Sequence, residues 1–336
     1  MNYYKITKKI DVKEYLQKLN DNCLIIYSKT SILKNDINIQ KNNFKTYSTN
    51  ELTIKKENID KLIDNLDGYS KIICIGGGTA TDIGKYLSSK FKKNLICIPT
   101  MLSTNAYSTD KVALLINGKK ETLNATISTQ ILFDKNILKK SKENNLYGIA
   151  DIFSISTALN DWLLAAEFNS ENITSEFEWA QQLLHLTIKY ILDSELTKIE
   201  EDIFIIYKLV GEAGEITNQY GSGKPESGSE HIFAKALEKE IKIPHAIAVA
   251  NGILLMSISQ ALYMGGKFDI NPYLALKKLG IYDLNNQYNI SYELISKVFL
   301  NLKPRKDRYT VVNLIYNDKE KKKKVLVEYK KIIENE

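Results

Sequence analysis

Short apolar runs separated by stretches of helical periodicity dominate the first part of the chain. Residues 50–66 and 79–91 carry their apolar side chains at helical spacing. Runs typical of buried strands surround them at residues 22–28, 71–75, 94–98, 112–116 and 130–133. The alternation of strand and helix predicts a parallel sheet with right-handed crossovers.

Helical periodicity replaces the strand pattern from residue 145 onwards. The predicted helices lie at residues 148–168, 172–193, 203–220, 229–239, 246–264 and 291–302. The sequence therefore predicts an α/β domain at residues 1–145, with a parallel sheet, and an all-helical domain at residues 146–336.

Composition narrows the class of protein. The chain has 336 residues and is 44% hydrophobic, enough for two cores. We find no uninterrupted apolar run of about 18 residues and no signal-peptide pattern, so we expect a cytoplasmic protein without a membrane span. The net charge of +6 is modest and scattered, which disfavours nucleic-acid binding. The three cysteines lack metal-ligand spacing and are expected to be buried thiols.

Three consecutive glycines, Gly76, Gly77 and Gly78, stand between a predicted strand and a predicted helix. Glycines allow a sharp turn and close approach of a ligand, and the free N–H groups of a helix start attract an anion such as pyrophosphate. The spacing differs from GxGxxG, and a tight turn without a ligand is the alternative. The hydroxyl-rich loop after Pro99 follows the next strand and is suited to a ribose, a nicotinamide amide or a substrate hydroxyl, or to solvent alone.

Two of the three histidines, His231 and His245, lie near predicted helix starts punctuated by glycine and proline. His185 lies in an ordinary amphipathic helix and is interpreted as structural. Asp151 is predicted to open the first helix of the second domain, either as a helix cap or as a metal ligand. Two imidazoles and one carboxylate leave a coordination position open, as in catalytic zinc sites, although each histidine alone is typical of a buried polar group.

Five motifs together resemble a known family. They are IGGGTATDIGK at 75–85, IPTMLS at 98–103, ADIFSISTALNDWLLA at 150–165, GKPESGSEHIFAKAL at 223–237, and Pro244-His245. In order and spacing the sequence resembles the metal-dependent polyol dehydrogenases, a family that also contains dehydroquinate synthase. The closest likeness is to its glycerol-1-phosphate dehydrogenase branch, and it covers about residues 70–260.

The resemblance implies a role for each matching residue. The implied pyrophosphate loop is Gly76, Gly77, Gly78, Thr79 and Ala80, and the further implied NAD(P) contacts are Thr100, Ser103 and Thr109. The implied ligands of one divalent metal are Asp151, His231 and His245. Zinc is expected, with iron and nickel as alternatives. The implied reaction is hydride transfer between the nicotinamide and a small phosphorylated ketone or secondary alcohol, in a homo-oligomer.

Three positions depart from the branch and concern the substrate. Asn105 stands where the branch has an aspartate, Lys235 where it has a second histidine, and Ala246-Ile247 where it has Gly-Glu. Lys235 follows His231 by one helical turn and could bind a substrate anion, shuttle a proton, or be a solvated surface lysine. The alternatives are a dehydroquinate synthase-like lyase or cyclase with bound NAD, whose GHTxGHA motif the chain lacks, and a non-catalytic nucleotide-binding protein.

Overall fold

The computed structural model describes residues 6–169, 171–265 and 267–334. The chain divides into two compact units. Unit 1 comprises Met1–Asn145 and Glu200–Asn218, and unit 2 comprises Leu146–Ile199 and Gln219–Glu336.

Glu200–Asn218 belongs to unit 1, whereas the sequence analysis places it in the helical domain. Tyr207 of this segment stacks on Tyr107 at a centroid distance of 5.1 Å and packs edge-on against Phe133, also at 5.1 Å. The Tyr107 hydroxyl donates to the Tyr207 carbonyl at 2.6 Å. Periodicity identifies the helix, but these long-range contacts decide the unit in which it packs.

Unit 1 contains, among its described residues, a six-stranded parallel sheet and a two-stranded antiparallel hairpin. The strands are β1 (Ile6–Lys9), β2 (Cys23–Tyr27), β3 (Phe44–Ser48), β4 (Lys71–Gly76), β5 (Asn94–Pro99), β6 (Lys111–Ile116), β7 (Lys119–Asn124) and β8 (Gln130–Phe133). The sheet order is β1-β8-β5-β4-β2-β3, and β6 pairs with β7. The parallel pairing places the carboxyl ends of β4 and β5 side by side, with Gly76 opposite Pro99.

The helices of both units follow in chain order. They are α1 (Val12–Lys18), α2 (Lys29–Asn35), α3 (Thr49–Leu52), α4 (Lys56–Leu62), α5 (Gly78–Phe91), α6 (Lys135–Lys139), α7 (Lys142–Ile152), α8 (Ile155–Asn169), α9 (Ser175–Asp193), α10 (Leu196–Glu201), α11 (Ile203–Tyr220), α12 (Ser229–Glu240), α13 (His245–Tyr263), α14 (Asn271–Lys278), α15 (Leu284–Gln287), α16 (Tyr292–Leu300), α17 (Val311–Ile315) and α18 (Lys319–Glu334). Short 3₁₀ helices occupy Asn105–Tyr107 and Lys224–Glu226.

The core on one face of the sheet comes from alternate residues of the central strands. Successive strand side chains point to opposite faces, so every second residue reaches the same core. The strand residues of this core are Cys23, Ile25, Ile73, Ile75, Ile96 and Ile98, and α1 contributes Val12 and Leu16. The predicted α/β fold is confirmed, although the sequence analysis missed β1, β3 and the polar strand β7.

The centre of unit 2 is α13, which packs along α12. It is the one helix in the described part of the chain whose length and composition would suffice to cross a membrane. However, 78% of its apolar window is buried inside the protein, which is the pattern of a core helix. Its first residue is His245, directly after Pro244, as the sequence predicts.

Two long predicted helices are each divided in the structure. Residues 50–66 form α3 and α4, separated at Thr53, whose φ is +53°. Residues 148–168 fall into α7 and α8, so Asp151 lies in the last turn of α7, and its prediction as a helix start is wrong. The Ser154 hydroxyl donates to the carbonyl oxygens of Asp151 and Glu226, which stabilises the break.

Candidate functional site

The three predicted metal ligands, Asp151, His231 and His245, lie together in unit 2. One potential ligand atom from each residue lies within 4.8 Å of the other two. The Nε2 atom of His231 is 3.7 Å from the Oδ1 atom of Asp151, and the imidazole centroids are 5.1 Å apart. All three residues are partly exposed. The arrangement is compact enough for one ion and open enough for a further ligand.

Asp151 supplies the clearest sign that a partner belongs here. Its Oδ1 atom is buried and accepts no hydrogen bond from any residue that the structure describes. A buried carboxylate oxygen without a partner is costly, so such atoms are rare unless a water or an ion satisfies them. The residues present therefore fit a bound cation.

Two glutamates that the sequence analysis did not identify orient the histidines. The Nδ1 atom of His231 is 2.8 Å from Glu230 Oε1, and the Nδ1 atom of His245 is 2.5 Å from Glu238 Oε1. A carboxylate beside Nδ1 favours a proton on that nitrogen and leaves the Nε2 lone pair free. Both imidazoles are thus held in the tautomer that a metal requires.

Glu230 is anchored in the interior of unit 2. It accepts hydrogen bonds from the Gly228 N–H and the Thr157 hydroxyl, each at 2.6 Å. Burial by itself raises the pKa of Glu230, but hydrogen bonds from His231 and Gly228 hold that pKa below its ordinary value. The carboxylate therefore stays ionised and remains hydrogen-bonded to the His231 imidazole.

Asp161 fixes the start of α12, the helix that carries His231. Its carboxylate accepts the Ser229 N–H at 2.6 Å and the Val311 N–H at 2.8 Å. Burial, reinforced by the nearby Glu230, raises the pKa of Asp161 to about 6. Asp161 on α8 thus links the start of α12 to the start of α17 through two hydrogen bonds.

The glycine loop of unit 1 joins β4 to α5, with Gly77 as the helix cap. A Cβ atom added at Gly76 would lie 2.8 Å from Ala80 Cβ, and one at Gly77 would lie 3.0 Å from Met101 Sδ. One at Gly78 would lie 3.1 Å from the Thr104 hydroxyl oxygen. Gly76 therefore packs closely against the first turn of α5, and Gly77 and Gly78 pack closely against side chains of the loop after β5. The start of α5 keeps backbone N–H groups available for an anion.

The other predicted nucleotide contacts have different surroundings. Thr79 is exposed and Ala80 is buried, both in the first turn of α5. Thr100 is buried, its hydroxyl 2.8 Å from that of Ser31, while Ser103 is partly exposed. Thr109 is buried, and its carbonyl oxygen accepts a hydrogen bond from the Lys85 ammonium at 3.0 Å. Gly76 and Thr100 are adjacent through a backbone hydrogen bond, whereas Thr109 is tied to α5 further from the glycines.

The two predicted substrate residues lie in different units. Asn105 is partly exposed and begins the short 3₁₀ helix of unit 1. Lys235 is exposed on α12, one helical turn after His231. Their roles toward a substrate stay predictions.

Comparison with known proteins identifies the family of this chain. The model of the family described as iron-containing alcohol dehydrogenase matches residues 12–141. The chain is 30% identical over 259 residues to the glycerol-1-phosphate dehydrogenase [NAD(P)+] of Methanococcus vannielii, covering 73% of this chain and 75% of that protein. This chain belongs to the glycerol-1-phosphate dehydrogenase family. A second member of the family, from Methanococcus aeolicus, is 27% identical over 294 residues, covering 83% of this chain and 84% of that protein.

A solved structure shows that this family member shares the fold of related dehydrogenases. The probable glycerol dehydrogenase of Sinorhizobium meliloti aligns with a TM-score of 0.63 and 14% identity, covering 94% of this chain and 92% of that one. At this identity the likeness concerns the fold alone. The resemblance stated from the five motifs is confirmed.

Proposed function

We propose that the protein is a metal-dependent NAD(P)H dehydrogenase that interconverts dihydroxyacetone phosphate and glycerol 1-phosphate. The observation that carries this proposal is the trio Asp151, His231 and His245, in which each imidazole has a carboxylate on Nδ1. Family membership supports the substrate and the cofactor, because the relatives are named as NAD(P)+-dependent glycerol-1-phosphate dehydrogenases.

The donor set favours zinc among the divalent metals. Two imidazole nitrogens and one carboxylate oxygen resemble the three-residue ligand sets of catalytic zinc sites. Iron and nickel accept the same donors and are the alternatives, iron being the metal named in the family description. When bound, the metal would supply Lewis-acid polarisation of the substrate carbonyl and the NAD(P)H would supply the hydride.

The residues of the chain provide binding and orientation. We propose that Asp151, His231 and His245 hold the metal, while Glu230 and Glu238 fix the two imidazole tautomers. The proposed cofactor contacts in unit 1 are Gly76, Gly77, Gly78, Thr79, Ala80, Thr100, Ser103 and Thr109. We further propose that unit 1 is the nucleotide-binding domain and unit 2 the metal domain.

The proposal is tested by an activity screen on the purified, zinc-loaded protein. We expect oxidation of NADH or NADPH on addition of dihydroxyacetone phosphate, with formation of glycerol 1-phosphate. If neither cofactor is oxidised with this or any other small keto-phosphate, the proposed function is wrong. Release of inorganic phosphate from a sugar phosphate without net oxidation of NADH would instead favour the lyase alternative.

A further inference from the structure

The chain contains only two arginines among its 46 lysines and arginines, and both lie in one segment before α17. Arg305 forms an ion pair with Asp307 at the surface and donates two hydrogen bonds to its carboxylate. Arg308, three residues later, is partly buried. It makes no hydrogen bond or ion pair with any residue in the part of the chain that the structure describes. Arg305 therefore has an acidic partner, and Arg308 has none among the residues that the structure describes.

The backbone around Arg308 is held on its C-terminal side. Tyr309 stacks on Phe168 with a centroid distance of 5.2 Å and an interplanar angle of 21°. The Val311 N–H donates to the buried Asp161 carboxylate at 2.8 Å. Since Asp161 also accepts the Ser229 N–H at the start of α12, it links the segment after Arg308 to the helix that carries the proposed metal ligand His231.

The nearby carboxylates do not satisfy the Arg308 guanidinium. Glu230 and Asp161 lie within electrostatic range of it. Both carboxylates are already occupied by other donors: backbone N–H groups, a hydroxyl, a side-chain amide and the His231 imidazole. Burial, followed by repulsion from Arg305, lowers the pKa of Arg308. The guanidinium is thus partly buried and has no acceptor among the described residues.

Lys224, a further cation near Arg308, already has partners. Lys224 forms an ion pair with Glu171 and lies over the Trp162 ring, 5.7 Å from its centroid. Of these cations, Arg308 is therefore the one whose donors are not used by any residue that the structure describes. A planar guanidinium with free donors matches an oxyanion that can accept two parallel hydrogen bonds, and a phosphoryl group has this geometry.

We propose that Arg308 binds the phosphoryl group of the substrate and so selects a phosphorylated ketone over its unphosphorylated analogue. The identity of that substrate rests on the proposed function, whereas the oxyanion site does not. The shared ligand chemistry is a tetrahedral phosphate, either free in solution or carried by the substrate.

The test compares Arg308→Gln with the matched control Arg305→Gln, both in zinc-loaded protein. We expect Arg308→Gln to raise the KM for dihydroxyacetone phosphate roughly 10- to 100-fold, as for loss of charge-assisted hydrogen bonds. The KM for NAD(P)H and the kcat/KM for unphosphorylated dihydroxyacetone should be unchanged. Arg305→Gln should match the wild type in every measurement. Arg308→Lys keeps the charge without the planar fork and should give an intermediate KM.

A binding measurement separates this inference from the proposed function. Calorimetric titration with inorganic phosphate should show binding to the wild type and to Arg305→Gln, and a loss of at least about tenfold in affinity for Arg308→Gln. This result would support the oxyanion site even if the wild type failed to reduce dihydroxyacetone phosphate.

Two results would overturn the inference while leaving the proposed function intact. One is a KM for dihydroxyacetone phosphate in Arg308→Gln within twofold of the wild type. The other is a parallel loss of activity with dihydroxyacetone, which indicates a structural role. If Arg308→Gln fails to fold, Arg308→Lys decides the question, because a wild-type KM in that variant contradicts bidentate recognition.

Discussion

His231→Ala is expected to abolish stable metal binding and to lower kcat/KM for dihydroxyacetone phosphate by about 10³-fold or more. The variant removes one of two imidazoles from the three proposed metal ligands, and it leaves the buried Glu230 carboxylate without its imidazole partner. Lewis-acid activation supplies several kcal/mol of transition-state stabilisation, and each ~1.4 kcal/mol corresponds to a tenfold change in rate. Metal content by mass spectrometry and steady-state kinetics measure the two effects together.

The remaining histidine provides the control for this variant. His185 is exposed on α9, outside the group of three candidate ligands. His185→Ala should retain full metal content and activity. Wild-type turnover in His231→Ala, or equal losses in the two variants, would remove the metal site from the account.

Gly252→Ala is expected to destabilise unit 2 and to weaken metal binding. A Cβ atom at Gly252 would lie 2.5 Å from the Glu230 carbonyl oxygen and 3.0 Å from the Glu230 Cα atom. These are backbone atoms, so the methyl group can be accommodated only if α12 and α13 separate. Overpacking of this kind costs about 1–3 kcal/mol, and the separation would displace His231 on α12 and His245 on α13 together.

The change is measured by chemical denaturation and by zinc titration. Gly223→Ala is the matched control, because the nearest atom to its added Cβ, Ser227 Cβ, is 4.0 Å away. The control should lose little stability. A Gly252→Ala variant with the wild-type free energy of unfolding and zinc affinity would show that the close contact of α12 and α13 does not support the site.

Local signals in the sequence predicted much of the scaffold. As expected, the apolar strand β4 is followed by the three glycines and then by the helix α5. These elements are predictable because an apolar run and a group of glycines are visible within a few residues of sequence. Pro244 likewise predicted the helix start at His245. The same short-range reasoning brought His231 and His245 forward as candidates.

Long-range contacts account for what the sequence did not reveal. α7 ends at Ile152, just after Asp151, and the Ser154 hydroxyl beyond it donates to the carbonyl of the distant Glu226, a contact that periodicity cannot show. Glu238 precedes His245 by seven residues on a different helix, and only the packing of α12 on α13 brings the two side chains together. The one available signal was the adjacency of Glu230 and His231, since metal-binding histidines usually have a carboxylate on the second nitrogen.

We propose that Asp151, His231 and His245 hold a divalent metal through two imidazoles and a carboxylate. X-ray absorption spectroscopy at the zinc edge of the zinc-loaded wild type tests it most directly. We expect a nitrogen and oxygen shell at about 2.0–2.2 Å with the multiple scattering of two imidazoles. A sulfur shell near ~2.3 Å, or a spectrum without imidazole scattering, would contradict it.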